Sequence, residues 1–474
     1  MRNQKVKILD TTLREGELNS GVYFTADKLE AIGLGLANLG TPRIEVSIVY
    51  PQRGGDIKKI KTVLANIGES YTNSIFIVQC RALKQDIEIA QKMEATGCGV
   101  YIAISEMHRK SKLGGISVED IINRLTESLS LLNEHGFTYR RAVLEDASRF
   151  FSQYKAKEDT LDTLKKIIEA VDKAGATTIS LPDTAGFLEE SNALKMLNFV
   201  SKITNKELSA HFHNDYGNAL GNTKAVIKNG YAVEPHVSIF GLGAGAGISD
   251  HYELSANLMD NLNIETDENR GYFQELYKTF QNITKIPIPW NHPLSDFART
   301  EKAGTHQAQQ LRNPEGYVPR KKLNHDFDNK IIFDVSKFSS GHLIKKMLEG
   351  YDVDDQTILD IMRLISRRST LFNRKLYNIE IKNLIKDITN INLPTALISQ
   401  YIGPEKAFYL LKVRPQNTTE ITEKLEKMKG AIRVLETYGN YDIVIESYND
   451  KNMQKVIEKI VGNNMIEISP LIVG

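Results

Sequence analysis

Residues 158–186, EDTLDTLKKIIEAVDKAGATTISLPDTAG, decide the fold. In the first part, apolar residues such as Leu164, Ile167, Ile168 and Val171 recur at three- and four-residue intervals, the period of a helix with one buried stripe. TTISLPD at 177–183 is a short β-branched run and reads as a strand. Outward in both directions the alternation repeats about every 30 residues, the length of a βαβ unit. KVKILDTTL (5–13), RIEVSIV (43–49), SIFIVQC (74–80), GVYIAIS (99–105) and YRRAVLE (139–145) precede it. LSAHFHN (208–214) and VEPHVSIFGLG (233–243) follow, and helical stretches such as ADKLEAIGLGLANLG (26–40) lie between the runs. Eight strands alternating with helices over about 250 residues predict an α/β fold, a closed (β/α)8 TIM barrel. The rival, a doubly wound open sheet, would carry a glycine-rich phosphate turn after its first strand, and TTLREGE (11–17) is not one.

A barrel places its chemistry at the C-terminal ends of its strands. In this chain those ends carry Arg14 and Glu15, then Glu45, Arg81, Ser105 with Glu106, Glu145 with Asp146, and Asp183 with Thr184. The seventh ends in HFHND (211–215) and the eighth in the glycines of 241–247. Residues two apart on a strand face the same side, so His211 and His213 are expected to point together into the mouth. Two imidazoles on one face suit a divalent metal, with a carboxylate such as Glu15 completing a facial set; two hydrogen-bonded histidines are the other reading. A metal beside Arg14 is what a 2-oxo acid needs: a cation to polarise the carbonyl and a guanidinium to meet the developing alkoxide. Thr184 and Arg81 are candidates for the acid's remaining carboxylate. His306, in KAGTH, is a candidate general base, with Glu145 to orient it, or an ordinary surface histidine.

The rest of the chain reads differently. From about 265 to 400 it is helical and irregular. HPLSDFARTEKAGTHQAQQLRNPEGYVP (292–319) is expected to be an ordered loop or lid, and DDQTILDIMRLISRRS (354–369) and LYNIEIKNLIKDI (376–388) amphipathic helices. The last 70 or so residues follow the order β-α-β-β-α-β, the ferredoxin-like split βαβ unit. The expected division is a barrel over 1–280, a lid and helical accessory region over 281–402, and an α+β domain over 403–474. The 474 residues carry 60 Lys+Arg against 59 Asp+Glu, a net charge of +1, without the basic excess of a general nucleic-acid binder. Two cysteines are too few for a disulfide framework or a thiolate zinc site. With no apolar run of about 18 residues and no signal-peptide core, the expectation is a cytoplasmic protein without membrane or nucleic-acid partners.

DTTLREGE (10–17), LPDTAG (181–186), HFHND (211–215) and KAGTH…NPEGY (302–317) together resemble the homocitrate synthase and isopropylmalate synthase family, the DRE-TIM metallolyases. The resemblance runs in order over residues 4 to about 330. It implies condensation of acetyl-CoA with a 2-oxo acid on a divalent metal (Zn, Mn, Co or Mg), then thioester hydrolysis. By position, Glu15, His211 and His213 match the metal ligands and Arg14 the carbonyl-binding arginine. His306 and Tyr317 match the pair that helps deprotonate the acetyl methyl, supplied by a neighbouring subunit, with Glu145 as its acidic partner. Glu45, Arg81, Arg109 and Thr184 match substrate-pocket positions. KAGTH, and a Glu ligand in LREGE, resemble homocitrate synthases most, which implies 2-oxoglutarate as acceptor and a place in lysine biosynthesis.

The strand order after 403 and the TYGNYDIVI turn (437–445) resemble the Lrp/AsnC-type ligand-binding (RAM) domain. That implies a homodimer and an amino-acid effector near Tyr438, Gly439, Asn440, Tyr441 and Asp442. Five positions depart from the family pattern. Leu18 stands for a Gln, Ala82 follows Arg81 in place of a Cys-His or similar, Ser209 stands for a Glu, and Ala244 and Gly245 replace the Glu-Arg of the glycine loop. Isopropylmalate, citramalate and Re-type citrate synthases therefore stay open, as do a cleaving lyase and a non-catalytic amino-acid sensor. A hydroxymethylglutaryl-CoA lyase would carry a cysteine in 241–247, which has none.

Overall fold

In the computed structural model the described residues are 5–49, 54–68, 73–316, 332–403, 406–428, 430–448 and 452–473. The chain forms two compact units that divide at Thr284/Lys285.

In the first unit, β1 (Leu9–Asp10), β2 (Arg43–Ile48), β3 (Ile75–Arg81), β4 (Gly97–Ala103), β5 (Tyr139–Glu145), β6 (Thr178–Asp183), β7 (Glu207–Phe212) and β8 (Glu234–Ser238) pair in sequence order, all parallel. β8 returns to β1, Leu9 opposite His236 and Asp10 opposite Val237, so the sheet closes. A short β9 (Ser249–Asp250) pairs in parallel with the end of β8. The helix over 161–173 shows why the alternation forms. Thr160 caps it by accepting from Thr163 N at 3.1 Å, and Leu164, Ile167, Ile168 and Val171 are its buried stripe.

The barrel interior is polar, where branched aliphatic layers are usual. Arg43, Glu45, Tyr139, Arg141, Ser209, Glu234 and His236 are all buried. Space for the arginine comes from β4: a Cβ at Gly99 would sit 3.0 Å from the Arg141 guanidinium. Cys80 and Cys98, on adjacent strands, are buried free thiols.

The second unit holds a helical cluster and a sheet. Helices over Gly341–Met347, Asp355–Phe372, Asn378–Thr389 and Thr395–Ile402 share one core that includes Leu343, Ile361, Ile365, Ile381 and Leu384. Two short strands, β10 (Thr300–Glu301) and β11 (Ile332–Phe333), pair in parallel. The segment expected to be irregular contains an α-helix over Gly304–Arg312, because HQAQQLR is a run of residues that tolerate helix well. β12 (Lys406–Val413), β13 (Ala431–Glu436), β14 (Ile443–Tyr448) and β15 (Met465–Val473) form an antiparallel sheet in the order β13-β14-β12-β15. Helices Thr418–Glu426 and Met453–Val461 complete the β-α-β-β-α-β order, and their buried residues join Tyr409, Leu411 and Ile445 in a separate core. Among the described residues no helix is long and apolar enough to cross a membrane.

Candidate active site

The sequence DTTLRE shapes the first strand end. β1 stops at Asp10, whose Oδ1 accepts from Thr12 N at 2.8 Å, and Arg14 N and Glu15 N both turn back to Thr11 O. A turn replaces strand alternation, so consecutive Arg14 and Glu15 are both buried at the mouth. Arg14 is ion-paired with Glu15, and its Nε donates to Glu45 Oε2 at 2.7 Å. Glu45 also binds Arg141, which donates to Gln79 Oε1 at 2.9 Å. Burial opposes charge on Arg14 and Glu45, but their ion pairs outweigh it. Arg14 and Glu45 are each shifted toward their charged forms, Glu45 chiefly by Arg14 and Arg141.

His211 is the penultimate residue of β7 and His213 lies just past its end, their Nε2 atoms 3.3 Å apart. His213 Nδ1 lies 3.3 Å from the carbonyl of Ala244, which can only accept, so Nδ1 is the donor of that contact. Ala244 N in turn donates to Glu15 Oε1 at 3.1 Å. One peptide of the glycine loop thus holds both His213 and Glu15. Burial, with the neighbouring imidazoles of His213 and His236 and the guanidinium groups of Arg14 and Arg141, holds His211 well below the usual histidine range, in the neutral form that ligates metals.

This donor pair fits a divalent cation. Two nitrogens about 2.0–2.1 Å from one zinc at a tetrahedral angle are about 3.3 Å apart. Glu15 is the carboxylate tied to the same loop but is engaged by Arg14, and no set of three His, Cys, Asp or Glu side chains is gathered for a metal among the described residues.

Other expected site residues are placed differently. Arg81 donates from Nε and Nη2 to Asp86, at 2.7 and 3.0 Å. Arg109 is buried on Ile116 O and Glu158. Thr184 accepts from Asp146 N at 3.0 Å, and Glu145 is paired with Lys112 and lies 3.4 Å from His108 Nδ1. Burial raises the Glu145 carboxyl, but His108 and Lys112 bring it below the ordinary range. Glu45 is fully buried between two arginines, an arginine-holding place rather than an open one. In the second unit His306 lies on the helix over 304–312 with Nδ1 3.3 Å from Glu301 Oε2. Tyr317 lies outside the described residues. In the C-terminal sheet Tyr438 is fully exposed, Tyr441 OH reaches Glu467 and Ser469 at 3.3 Å, and Asp442 accepts from Val413 N at 2.8 Å. Gly439 and Asn440 are exposed in the turn between them.

The departures have local explanations. Ser209 donates to Glu234 at 2.6 Å, so the neighbouring strand supplies a carboxylate beside it. A Cβ at Gly245 would lie 2.9 Å from Asp215 Oδ1, so the loop closes where a side chain would displace Asp215. Leu18 is half exposed, and Ala82 is buried. The sequence reading did not single out Gln79, Arg141, Glu234 or His236. Their signal was polar residues at alternate, inward positions of strands, visible in YRR (139–141) and VEPH (233–236).

A closed parallel barrel with arginine, carboxylate and paired histidines at its C-terminal mouth defines a class of barrel enzyme scaffold. The profile of the HMGL-like family matches residues 5–281, and the chain belongs to that family. Curated relatives named homocitrate synthase, from Sulfurisphaera tokodaii and Saccharolobus islandicus, are 29% and 28% identical over 96% of both chains. Solved HMG-CoA lyases share the barrel fold. That of Bacillus subtilis superposes with a TM-score of 0.52 at 18% identity, over 60% of this chain and 95% of its own. That of Pseudomonas aeruginosa gives 0.52 at 19%, over 62% and 96%.

Proposed function

We propose that the chain is an acyltransferase that condenses acetyl-CoA with a 2-oxo acid and then hydrolyses the thioester, with 2-oxoglutarate as acceptor and homocitrate as product. The observation that carries this reading is the pair of imidazole Nε2 atoms 3.3 Å apart in a mouth that also holds Arg14. The names of the full-length relatives support it. Bound at His211, His213 and Glu15, a divalent cation would polarise the acceptor's carbonyl. Arg14 then meets the negative charge that develops on that oxygen as the acetyl methyl carbon attacks C2, held in place by Glu45. His306 and Tyr317, offered by a partner subunit, are the pair assigned to methyl deprotonation, and Glu145, ionised by Lys112 and His108, its acidic partner. Arg81, Arg109 and Thr184 are assigned to the substrate pocket. Residues 403–474 are assigned as an effector-binding, dimerising domain of the RAM type, with lysine, the end product, as the effector.

The test is thiol release from acetyl-CoA by the purified protein with Mn²⁺ or Zn²⁺, run with 2-oxoglutarate, 2-oxoisovalerate, pyruvate and oxaloacetate. Release with 2-oxoglutarate alone is expected. Release with another acceptor alone renames the substrate and keeps the reaction class. No release with any of the four overturns the synthase reading.

A further inference from the structure

His306, the base assigned above, has a carboxylate on its own segment that the proposed mechanism does not use. Glu301 ends β10, and His306 lies five residues on, in the first turn of the helix over 304–312. Glu301 Oε2 is 3.3 Å from His306 Nδ1. The side chain of Glu301 also makes the turn between strand and helix. Its Oε1 accepts from Ala303 N at 2.8 Å, and Ala303 is the residue before the helix, where no side chain caps the end. Gln310 Nε2, one turn beyond His306, donates to Oε2 at 3.4 Å. The backbone of Glu301 is fixed as well. Its carbonyl accepts from Gln307 Nε2 at 3.0 Å and from Asp334 N at 2.9 Å.

The carboxylate is thus held at both oxygens by N–H donors. An ionised carboxylate only accepts, so the His306 nitrogen that faces it is a donor, and the lone pair of the neutral ring is then at Nε2. The Glu301 side chain is 19% exposed and that of His306 42%, so the carboxylate is sheltered behind a ring that still meets solvent.

We propose that Glu301 is a positioning residue that holds His306 as its Nδ1–H tautomer, with Nε2 as the atom that takes the acetyl proton. The segment then carries base and orienting carboxylate as one preassembled dyad, and the barrel need only supply the substrate. The step balances simply. The methyl C–H bond breaks, the proton goes to Nε2, and the electron pair stays on the carbon that attacks C2. Glu301 offsets the positive charge that the ring gains, and the proton leaves Nε2 for water afterwards.

This use of the dyad rests on His306 being the base, but the tautomer can be measured without turnover. In the ¹⁵N-histidine-labelled full chain at about pH 8, above the usual histidine range, long-range ¹H–¹⁵N spectra should show His306 protonated at Nδ1. Its signals are assigned by their loss in His306→Asn. Glu301→Gln keeps an amide oxygen for Ala303 N but sets an NH₂ donor against Nδ1, so the ring should turn to its Nε2–H tautomer. With acetyl-CoA and 2-oxoglutarate, that variant should lose about 10²-fold in kcat with KM nearly unchanged. Glu301→Asp, which restores an acceptor, should regain about tenfold of it. A role confined to capping the helix would move neither the tautomer nor kcat in Glu301→Gln. A proton on His306 Nε2 in the unmodified chain overturns the proposal, and so does parental kcat in a folded Glu301→Gln protein. Should that variant not fold, the spectrum of the unmodified chain decides alone. No thiol release by the unmodified chain overturns the synthase reading, while the spectra still judge whether Glu301 sets the ring.

Discussion

Arg14 and Glu15 are neighbours in sequence that act on one space, because the turn after Asp10 aims both inward. At this scale the assignment of ligands is open to direct test. His213→Ala removes one of the two facing Nε2 atoms and leaves the Ala244 carbonyl without its donor. Loss of several kcal/mol of carbonyl polarisation corresponds to a fall in turnover of about 10³-fold or more. Mn²⁺ should no longer stay with the protein through gel filtration, and full activity with metal retained would remove His213 from the ligand set.

Asp10 itself serves stability. Its Oδ2 is 2.7 Å from His251 Nδ1, and His251 Nε2 is bound to Glu268. Burial works against the imidazolium, but Glu268 and Asp10 raise its pKa to about 10. A raised value means the stabilisation is complete below the ordinary histidine pKa of about 6.5 and is lost as pH rises through about 10. Urea unfolding of the parent and of His251→Asn between pH 6 and 10 should show the difference in stability shrinking with pH. At pH 6 the variant, with two buried carboxylates unpaired, should be about 3–5 kcal/mol less stable. A difference independent of pH would mean that His251 is neutral.

At the scale of elements, the loop over 241–247 links chemistry to backbone shape. Its Ala244 peptide holds Glu15 and His213, and it can do so only while the loop closes on itself. A Cβ at Gly247 would stand 1.9 Å from Gly241 O, on a residue with φ of +83°. Gly247→Ala should cost at least about 1–3 kcal/mol of backbone strain and lower turnover with it. Gly439→Ala, where a Cβ meets nothing within 4 Å, should stay within about 0.5 kcal/mol of the parent. Thermal melts and kcat for both variants check this, and an unaffected Gly247→Ala enzyme would separate the loop from catalysis.

The helix over 304–312 makes a related point. Polarity, with Pro and Gly nearby, led the sequence reading to a loop, yet Gln and Ala are compatible with both loop and helix. Gln307 secures that helix from within the fold, donating to Glu301 O at 3.0 Å and to Asp334 O at 2.8 Å, and Asp334 is distant enough in sequence to escape a local reading.

For the whole molecule, the two cores of the second unit matter. The helical cluster uses residues 333–402 and the sheet cluster residues 407–461, and neither list shares a member with the other. Deleting everything after Gly403 should therefore leave the helical cluster folded and catalysis within a few-fold, while abolishing inhibition by an amino acid. Initial rates of parent and truncated proteins over a lysine titration are the measurement. Inhibition that survives truncation at the same concentration would place the effector in the barrel.

Periodicity by itself determined the class of structure. Eight β-branched runs spaced by amphipathic helices admit few arrangements other than a parallel barrel, and the final β-α-β-β-α-β order specifies its own sheet, because both are local signals repeated along the chain. The HFHND spacing likewise placed two imidazoles on one face. Only the tertiary structure decided what stands behind them. Glu45, Arg141, Glu234 and His236 come from β2, β5 and β8, and closure of the barrel brings them into one buried line of charge. In the sequence they are polar residues at alternate positions of strands, a pattern that a solvent-facing strand shares. Which way each faces, and which opposite charge offsets its burial, depends on strands about 30 to 190 residues away.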